Sequence, residues 1–449
     1  MDKMRATVFS VIAIAIVVGA SISLNYMGLN NGTFPTQPAN STGVAPVQDN
    51  GNNNNISSSN VSISNSSAED AFTVLPEEDL PTISDSGLKV EKVIEGLDLP
   101  TSMRFIGRDD ILILEKESGR VRLVSNGELQ EEPLLEVAVE SESERGLLGI
   151  DVQDNGDGTK TVFLYCTQAS GDEVRNRVYK YTLDDSGDLR GETLLLDLPG
   201  EPGPNHDGGK LTIGPDGMLY VVIGDLNRNG LLQNYEGGEG PDDTSVILRV
   251  DGNGNAAADG PLPGELAKYY AYGVRNSFGL DFDPLTGVLW DTENGPTGFD
   301  EINVVNPGLN SGWEQIMGPI ERSGNSIDDL VQLEGSHYAD PVFSWSEAHG
   351  ITDIEFLNST KLGEEYAYNI FVGDFNNGNL YFFTVNETRN GLELGGDGLE
   401  DLVADDSAEV EEVTFGTGFG AISDIETGPD GYLYILTYTG DLYRIVPAG

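Results

Sequence analysis

Cysteine and basic residues are scarce in this sequence of 449 residues. The single cysteine, Cys166, excludes an internal disulfide, and its position in an apolar run predicts a small buried side chain. Lysine and arginine number 24 against 75 aspartates and glutamates, a formal net charge of −51. This charge repels phosphates and anionic headgroups, so it argues against nucleic acid or an anionic membrane surface as a partner. It favours cations such as calcium, although scattered acidic residues are also typical of a solvated surface.

Charge is absent from residues 6–24, a run rich in Ile, Val and Ala that follows Lys3 and Arg5. At roughly 20 residues the run can span the roughly 30 Å core of a bilayer, with the basic flank on the cytoplasmic side. Small residues at positions 19–21 equally favour a cleaved signal peptide. We therefore expect residues 1–28 to be a transmembrane anchor or a signal peptide. The remainder would be exported, either membrane-anchored or secreted, and would meet the membrane through this segment only.

Large apolar residues are few in residues 29–86, where Asn, Ser, Gly, Pro and Thr dominate. Such a composition cannot bury enough surface to offset the entropy of ordering the chain, so it predicts a disordered linker. From residue 87 onward the pattern changes to short apolar runs separated by turn residues, which predicts β-strands.

One theme recurs six times in residues 87–449: an apolar strand, a turn built on Asp, Gly or Pro, and a second apolar strand. The copies lie at 103–114, 148–165, 211–223, 279–290, 351–372 and 425–436. Repeats at this spacing, without a competing helical period, predict an all-β fold, a six-bladed β-propeller. Propellers also serve purely as binding platforms, so the fold alone does not assign a function.

The third copy is the most informative stretch. Two strands at 210–214 and 218–224 flank Pro215-Asp216-Gly217, a tripeptide suited to a tight turn. The entry to one antiparallel strand and the exit from the next lie at the same end, so His206 and Asp225 can meet. A carboxylate beside an imidazole fixes its tautomer and makes it a better base. The alternative is that His206 is a solvated turn residue.

Several motifs together resemble one enzyme family. They are Tyr-Gly-Val-Arg-Asn-Ser-Phe-Gly-Leu at 272–280, Glu-Asn-Gly-Pro-Thr-Gly-Phe-Asp-Glu-Ile-Asn at 293–303, Asn-Ser-Gly-Trp at 310–313, His-Asp-Gly-Gly-Lys-Leu at 206–211 and Gly-Leu-Leu-Gly at 146–149. In this order they resemble the soluble quinoprotein glucose/sorbosone dehydrogenases. The resemblance implies a six-bladed propeller that binds pyrroloquinoline quinone (PQQ) and calcium and oxidises a sugar substrate.

The resemblance also implies roles for individual residues. His206 matches the family's general base, which removes the hydroxyl proton of the sugar while hydride passes to the quinone, and Asp225 matches the residue that orients it. Arg275 matches an arginine beside the quinone oxygen, where a fixed cation stabilises developing charge. Asn276 matches its neighbour in the cofactor pocket.

Calcium ligands are implied in the same way. Gly295 and Pro296 match positions whose backbone carbonyls hold the calcium that bridges to the cofactor. Glu301 matches an acidic ligand of a second calcium, and hard oxygen ligands suit that ion.

The sequence departs from the family where the carboxylates of the quinone are held. Asn376 stands at the place of a lysine, residues 420–424 lack two arginines, and Glu144 replaces a glutamine. Each lost charge-assisted hydrogen bond would cost about 1.5–3 kcal/mol of binding unless Arg145, Lys210 or calcium compensates.

We therefore predict a quinone-dependent oxidoreductase acting on a sugar hydroxyl or hemiacetal. One alternative is a non-enzymatic, calcium-binding propeller that binds carbohydrate or a surface partner. Another is a calcium-dependent lactonase-like hydrolase with a metal-bound water. The sequence indicates neither the sugar nor the electron acceptor.

Overall fold

Six mainly antiparallel sheets make up most of the protein, whose computed structural model describes residues 72–75, 80–395 and 398–449. Each predicted repeat forms the two innermost strands of one sheet. We number the sheets I to VI in the chain order of their innermost strands and give the strands from the innermost outward.

Sheet I contains Pro100–Phe105, Ile111–Glu115, Arg120–Ser125 and Glu128–Leu129, with Leu135–Glu136 also paired to the third strand. Sheet II contains Leu147–Asp154, Lys160–Ser170, Glu173–Leu183 and Leu189–Pro199. Sheet III contains Leu211–Ile213, Leu219–Ile223, Val246–Val250, Tyr269–Tyr272, Leu309–Asn310 and His337–Tyr338.

Sheet IV contains Ser277–Phe282, Leu289–Glu293, Asp300–Val305, Phe343–Trp345 and Val403–Ala404. Sheet V contains Ile351–Phe356, Ile370–Asp374, Leu380–Val385, Thr414–Thr417 and Thr82–Ile83, with Leu392–Glu393 paired to the third strand. Sheet VI contains Ile422–Thr427, Leu433–Thr437, Leu442–Pro447 and Leu88–Ile94. The described helices are short: α-helices Ile320–Ser323 and Ser407–Val413, and 3₁₀ helices Leu231–Gln233, Gly264–Lys268 and Ile327–Asp329.

The innermost strands close into a ring. Each packs against the innermost strand of the next sheet, and that of sheet VI returns to that of sheet I. The apolar core lies between the facing sheets: Tyr220 and Val222 of sheet III, for example, pack with Leu280 and Leu289 of sheet IV. Sheets packed face to face around an axis are the arrangement of a propeller, so the predicted all-β propeller fold is confirmed.

The two ends of the predicted domain meet in sheet VI. Its outermost strand, Leu88–Ile94, comes from the start of the domain and pairs antiparallel with Leu442–Pro447 from its end. This pairing joins the first and last strands of the predicted domain in one sheet and leaves no break in the ring. Cys166 is fully buried in sheet II, as predicted, and burial raises the pKa of its thiol to about 12.

The predicted disordered linker over residues 29–86 is wrong for its last part. Phe72 is 5% exposed and its ring centroid lies 5.7 Å from that of Tyr434. Thr82–Ile83 adds a strand to sheet V by pairing with Thr417 and Gly416. A few apolar residues in a polar tract are enough for docking when a buried site and an open strand edge are already available.

The predicted N-terminal segment, residues 1–28, lies outside the described residues, as does most of the linker. Among the residues described, no helix has the length and apolar character needed to cross a bilayer.

Candidate active site

The predicted hairpin brings His206 and Asp225 together. Leu211–Ile213 pairs antiparallel with Leu219–Ile223, so the residue before the first strand and the residue after the second lie at one end. Nδ1 of His206 is 2.6 Å from Oδ1 of Asp225, and both residues are buried. The predicted contact is therefore present, while the catalytic role of the pair stays a prediction.

His206 is held in an unusual backbone conformation. Its φ is +65°, in the left-handed region, and its backbone N–H donates to Oε2 of Glu144 at 2.7 Å. Gly208 and Gly209 follow, also with positive φ, and a Cβ on Gly209 would lie 2.6 Å from Cβ of Leu148. Non-glycine residues are uncommon in the left-handed region and need contacts that hold them there. At His206 the hydrogen bond to Glu144 and the two tightly packed glycines provide these contacts and fix the position of the imidazole.

Asp225 accepts hydrogen bonds on both carboxylate oxygens. Its Oδ1 receives the backbone N–H of Asn227 at 2.7 Å as well as the imidazole, and its Oδ2 receives Nε1–H of Trp313 at 2.6 Å. An ionised carboxylate accepts and cannot donate, so Nδ1 of His206 carries the hydrogen in this pair. Nε2 then has a free lone pair, and it has no protein partner among the described residues. In the neutral form of the ring, Nε2 is therefore the nitrogen that can accept a proton, and His206 lines the pocket described below.

Arg275 is buried beside this pair. Its guanidinium donates to the carbonyl of Asn294 at 2.8 Å and to that of Gly295 at 3.2 Å, and it lies 5.2 Å above the ring of Trp313. Its backbone N–H donates to Oε1 of Glu293 at 2.6 Å. Burial lowers the pKa of Arg275 from its ordinary value, although the group stays a cation at neutral pH.

A pocket lies on the axis, at the end of the ring where the innermost strands begin. Its lining includes a residue at or next to the start of every innermost strand: Thr101, Leu148, Lys210, Phe278, Thr352 and Ser423. Three buried polar atoms at this pocket have no hydrogen-bond partner, namely Nε of Arg275, Oδ1 of Asn276 and Oδ1 of Asn294. Unpaired buried polar atoms that line a cavity fit a ligand with both donors and acceptors.

All the predicted cofactor-binding residues line this pocket, together with His206. They are Arg275, Asn276, Glu144 and Asn376. Glu144 is already engaged, because its Oε2 accepts from the backbone of His206 and from Nδ2 of Asn276 at 3.2 Å. Its clearest role is to hold those two residues in place.

Of the two residues that could compensate for the missing cations, Arg145 does not line the pocket. Its guanidinium donates to the carbonyl of Gly200 at 2.5 Å. Lys210 does line the pocket, but its ammonium lies 2.7 Å from Asp353 and 2.6 Å from Asp424. Arg145 therefore does not compensate for the missing cations, because its side chain satisfies a backbone carbonyl in the turn before His206.

The predicted calcium residues lie close to Arg275. The carbonyl of Gly295 accepts from that guanidinium, and Pro296 is half-buried outside the pocket lining. Glu301 is buried and lies opposite Glu293 on the neighbouring strand. Burial, reinforced by the charge of Glu293, raises the pKa of Glu301 well above its ordinary value.

These residues fit calcium only in part. A cation would offset the repulsion between Glu293 and Glu301, neither of which has a lysine or arginine side-chain partner among the described residues. Within the same residues, however, no group of three or more His, Cys, Asp or Glu side chains is arranged to hold a metal ion. We therefore derive no chemical step through calcium.

Sequence reasoning missed three residues of this site: Trp313, Glu293 and Lys116, the last of which lines the pocket. Trp313 and Glu293 stood inside the motifs that carry the resemblance. Lys116 had a weaker signal, a charge directly after the apolar strand Ile111–Glu115.

The fold and the pocket define a class: all-β propellers in which a buried histidine–aspartate pair and an arginine lie at a pocket on the axis. The sequence profile of the glucose/sorbosone dehydrogenase family matches residues 97–444, so the chain belongs to that family.

Relatives with established names are consistent with this family assignment. The chain is 26% identical over 371 residues to the aldose sugar dehydrogenase YliI of Escherichia coli K12, covering 80% of this chain and 93% of the relative. It is 29% identical over 256 residues to quinoprotein glucose dehydrogenase B of Acinetobacter calcoaceticus, covering 49% and 52%. The PQQ-bound form of aldose sugar dehydrogenase from Streptomyces coelicolor has the same fold, with a TM-score of 0.62, 23% identity, and coverage of 82% of this chain and 99% of that one.

Proposed function

We propose that this protein is a sugar dehydrogenase that oxidises the hydroxyl or hemiacetal carbon of an aldose with PQQ as the oxidant. The carrying observation is the His206–Asp225 pair, in which Asp225 holds Nδ1 of a histidine that lines the same pocket as Arg275. The sugar substrate and the quinone are supported by the names of the relatives, and each of the six sheets would serve as one blade.

The pocket fits a flat quinone that carries carboxylates. Arg275, Asn276 and Asn294 each have an unpaired polar atom, so a small side-chain adjustment would let Arg275 donate to a quinone oxygen and one asparagine oxygen accept from the single ring N–H. When bound, the quinone supplies the acceptor for the hydride that leaves the sugar carbon. The chain itself supplies a base, a residue that orients the base, and a fixed positive charge.

His206 performs the proton transfer in this proposal. Its Nε2 accepts the proton of the sugar hydroxyl as the C–H bond breaks, which converts the ring into an imidazolium. Asp225 stabilises that imidazolium through the hydrogen bond to Nδ1, and Trp313 holds the carboxylate in place. Arg275, desolvated beside the pocket, stabilises negative charge that develops opposite the sugar.

A titration tests the cofactor. Apo-protein is mixed with PQQ, with and without calcium, while the absorption spectrum is recorded, and the loaded protein is then assayed by dye reduction against a panel of sugars. We expect a saturable spectral change and reduction of dye by at least one aldose. A spectrum unchanged by quinone, together with carbohydrate binding or lactone hydrolysis, would instead favour one of the two alternatives, the binding propeller or the calcium-dependent hydrolase.

Calcium binding is proposed on the buried Glu301–Glu293 pair and the acidic balance of the chain. A ligand at one hundred times its Kd adds about 2.7 kcal/mol to folding stability, so millimolar calcium should raise the thermal midpoint above that in chelator. Glu301→Gln should lose most of this increase, whereas Glu128→Gln, at an exposed position in sheet I, should keep it. Equal midpoints in calcium and chelator would contradict the proposal.

Export is proposed on the N-terminal sequence alone. Expression of the full chain, followed by fractionation and mass determination of its N-terminus, distinguishes an anchored from a secreted protein. Recovery of uncleaved protein in the cytoplasm would contradict both forms.

A further inference from the structure

Among the described residues, two lysines and one arginine line the pocket, and two of these three side chains already have strong partners. The ammonium of Lys210 lies within 2.7 Å of two aspartates, and the guanidinium of Arg275 donates to two backbone carbonyls. The third, Lys116, differs from both. Its Nζ has a single hydrogen bond, to the carbonyl of Ser141 at 3.3 Å.

Lys116 is a buried charge without an ion pair. It is 5% exposed, and no carboxylate among the described residues lies within 4 Å of its Nζ. The nearest acidic side chain of the pocket, Glu144, is occupied by the backbone of His206 and by Asn276. Burial lowers the pKa of Lys116, because the more distant charges of Glu117, Glu144 and Asp207 only partly offset the loss of hydration.

The position of Lys116 is rigid. Its backbone N–H donates to the carbonyl of Leu99 at 3.1 Å, and its carbonyl accepts from the N–H of Leu147 at 3.0 Å. Gly146 lies against its stem, since a Cβ there would be 2.6 Å from Cγ of Lys116. The ammonium is therefore preorganised and does not have to be ordered when a ligand arrives.

Buried charges in proteins are paired, and removing the partner of such a charge is costly. The ammonium of Lys116 is buried, fixed and unpaired at a ligand pocket, so an anionic group of the ligand would be the partner that it lacks. We propose that Lys116 binds a carboxylate of the pocket's ligand. The identity of that ligand as a carboxylated quinone rests on the proposed function. Lys116 would then supply a cation that Asn376 and residues 420–424 do not provide.

Lys116→Met tests the inference, because methionine keeps the apolar stem and removes the charge. The matched control is Lys361→Met, which makes the same change at an exposed position at the opposite end of the axis. Each protein is titrated with PQQ and with its trimethyl ester, which lacks the negative charges, and binding is followed by absorbance and calorimetry. The thermal midpoint of each apo-protein is recorded in parallel.

We expect Lys116→Met to weaken PQQ binding by about 10- to 100-fold, the range for a hydrogen bond to a charged group. Binding of the ester should change by less than about threefold, and Lys361→Met should bind both ligands as the wild type does. The apo midpoint of Lys116→Met should equal or exceed that of the wild type, because an uncompensated buried charge is removed. Lys116→Arg should recover part of the affinity for PQQ.

Two results would overturn the inference and leave the proposed function standing. One is unchanged PQQ affinity in Lys116→Met; the other is an equal loss for the acid and the ester, which indicates a structural role. A variant that does not fold would also count against it, because Lys116 would then stabilise the apo-protein. Failure of the wild type to bind either ligand would overturn the inference and the proposed function together.

Discussion

Replacing Asp225 by asparagine should disable the base without emptying the pocket. Asp225 receives three N–H groups, from His206, Asn227 and Trp313. Asparagine has one acceptor oxygen and one NH₂ group, so one of the two positions must present a donor where the aspartate presented an acceptor. If the NH₂ faces His206, the imidazole must accept at Nδ1 and carry its hydrogen on Nε2, which removes the base from the pocket.

The other orientation turns the NH₂ towards the indole N–H of Trp313 and leaves two buried donors facing each other. The first orientation does the same to the backbone N–H of Asn227, so either orientation leaves one buried hydrogen bond unmet, which costs about 1–3 kcal/mol of stability. Both orientations also remove the negative charge that stabilises the imidazolium. Loss of a positioned base typically lowers the rate by about 10²- to 10⁴-fold. We therefore expect kcat of Asp225→Asn to fall by at least about 100-fold. Quinone affinity should change little, because Asp225 does not line the pocket.

Dye-reduction kinetics over a range of pH, with reconstituted PQQ, measure this effect. Asp172→Asn, at the exposed tip between Lys160–Ser170 and Glu173–Leu183, is the matched control and should behave as the wild type does. A kcat for Asp225→Asn within about threefold of the control would refute the argument that the carboxylate sets the tautomer of His206.

Three further predictions concern buried groups. Burial raises the pKa of Asp207 to about 7, so the folded protein is most stable where this carboxyl is neutral in both states, and about 4 kcal/mol of stability is lost as pH rises from about 4 to 7. Asp207→Asn should remove this pH dependence of the free energy of unfolding in denaturant, and identical stability–pH profiles for the variant and the wild type would contradict it. Lys210→Ala should lower the free energy of unfolding by about 3–5 kcal/mol, because it leaves Asp353 and Asp424 buried without their cation; a loss below about 1 kcal/mol would count against that pairing. Cys166 should react with a thiol reagent only after unfolding, since its thiol is fully buried with a raised pKa, and stoichiometric labelling of the native protein would be inconsistent with its place in sheet II.

The fold was predictable because its repeats are local. Each predicted strand–turn–strand copy forms the first hairpin of one sheet, and turn residues such as Pro215-Asp216-Gly217 determine where the chain reverses. The meeting of His206 and Asp225 followed from the same hairpin geometry. These contacts need only short-range information, which the sequence carries in its apolar pattern and turn chemistry.

Contacts between distant segments were not predictable in this way. Trp313 reaches Asp225 from 88 positions away, and Lys116 enters the pocket from another sheet. Arg145 directly follows Glu144 of the pocket in the sequence, yet its guanidinium donates to the backbone carbonyl of Gly200 instead of facing the pocket. Phe72 docks on Tyr434 from a tract whose composition indicates disorder. Each of these outcomes depends on how the sheets and loops assemble, which no local pattern records.

The central claim is that His206 and the quinone together oxidise an aldose. Its most direct test is a single turnover without oxygen, in which PQQ-loaded protein is mixed with a sugar and the quinone absorbance is followed in the wild type and in His206→Asn. Asparagine tolerates the positive φ at this position, so the fold and quinone affinity should be retained. We predict complete reduction of the bound quinone by the wild type and a rate at least about 100-fold lower in the variant. Equal rates in the two proteins, or no reduction of bound quinone in the wild type by any aldose, would contradict the claim.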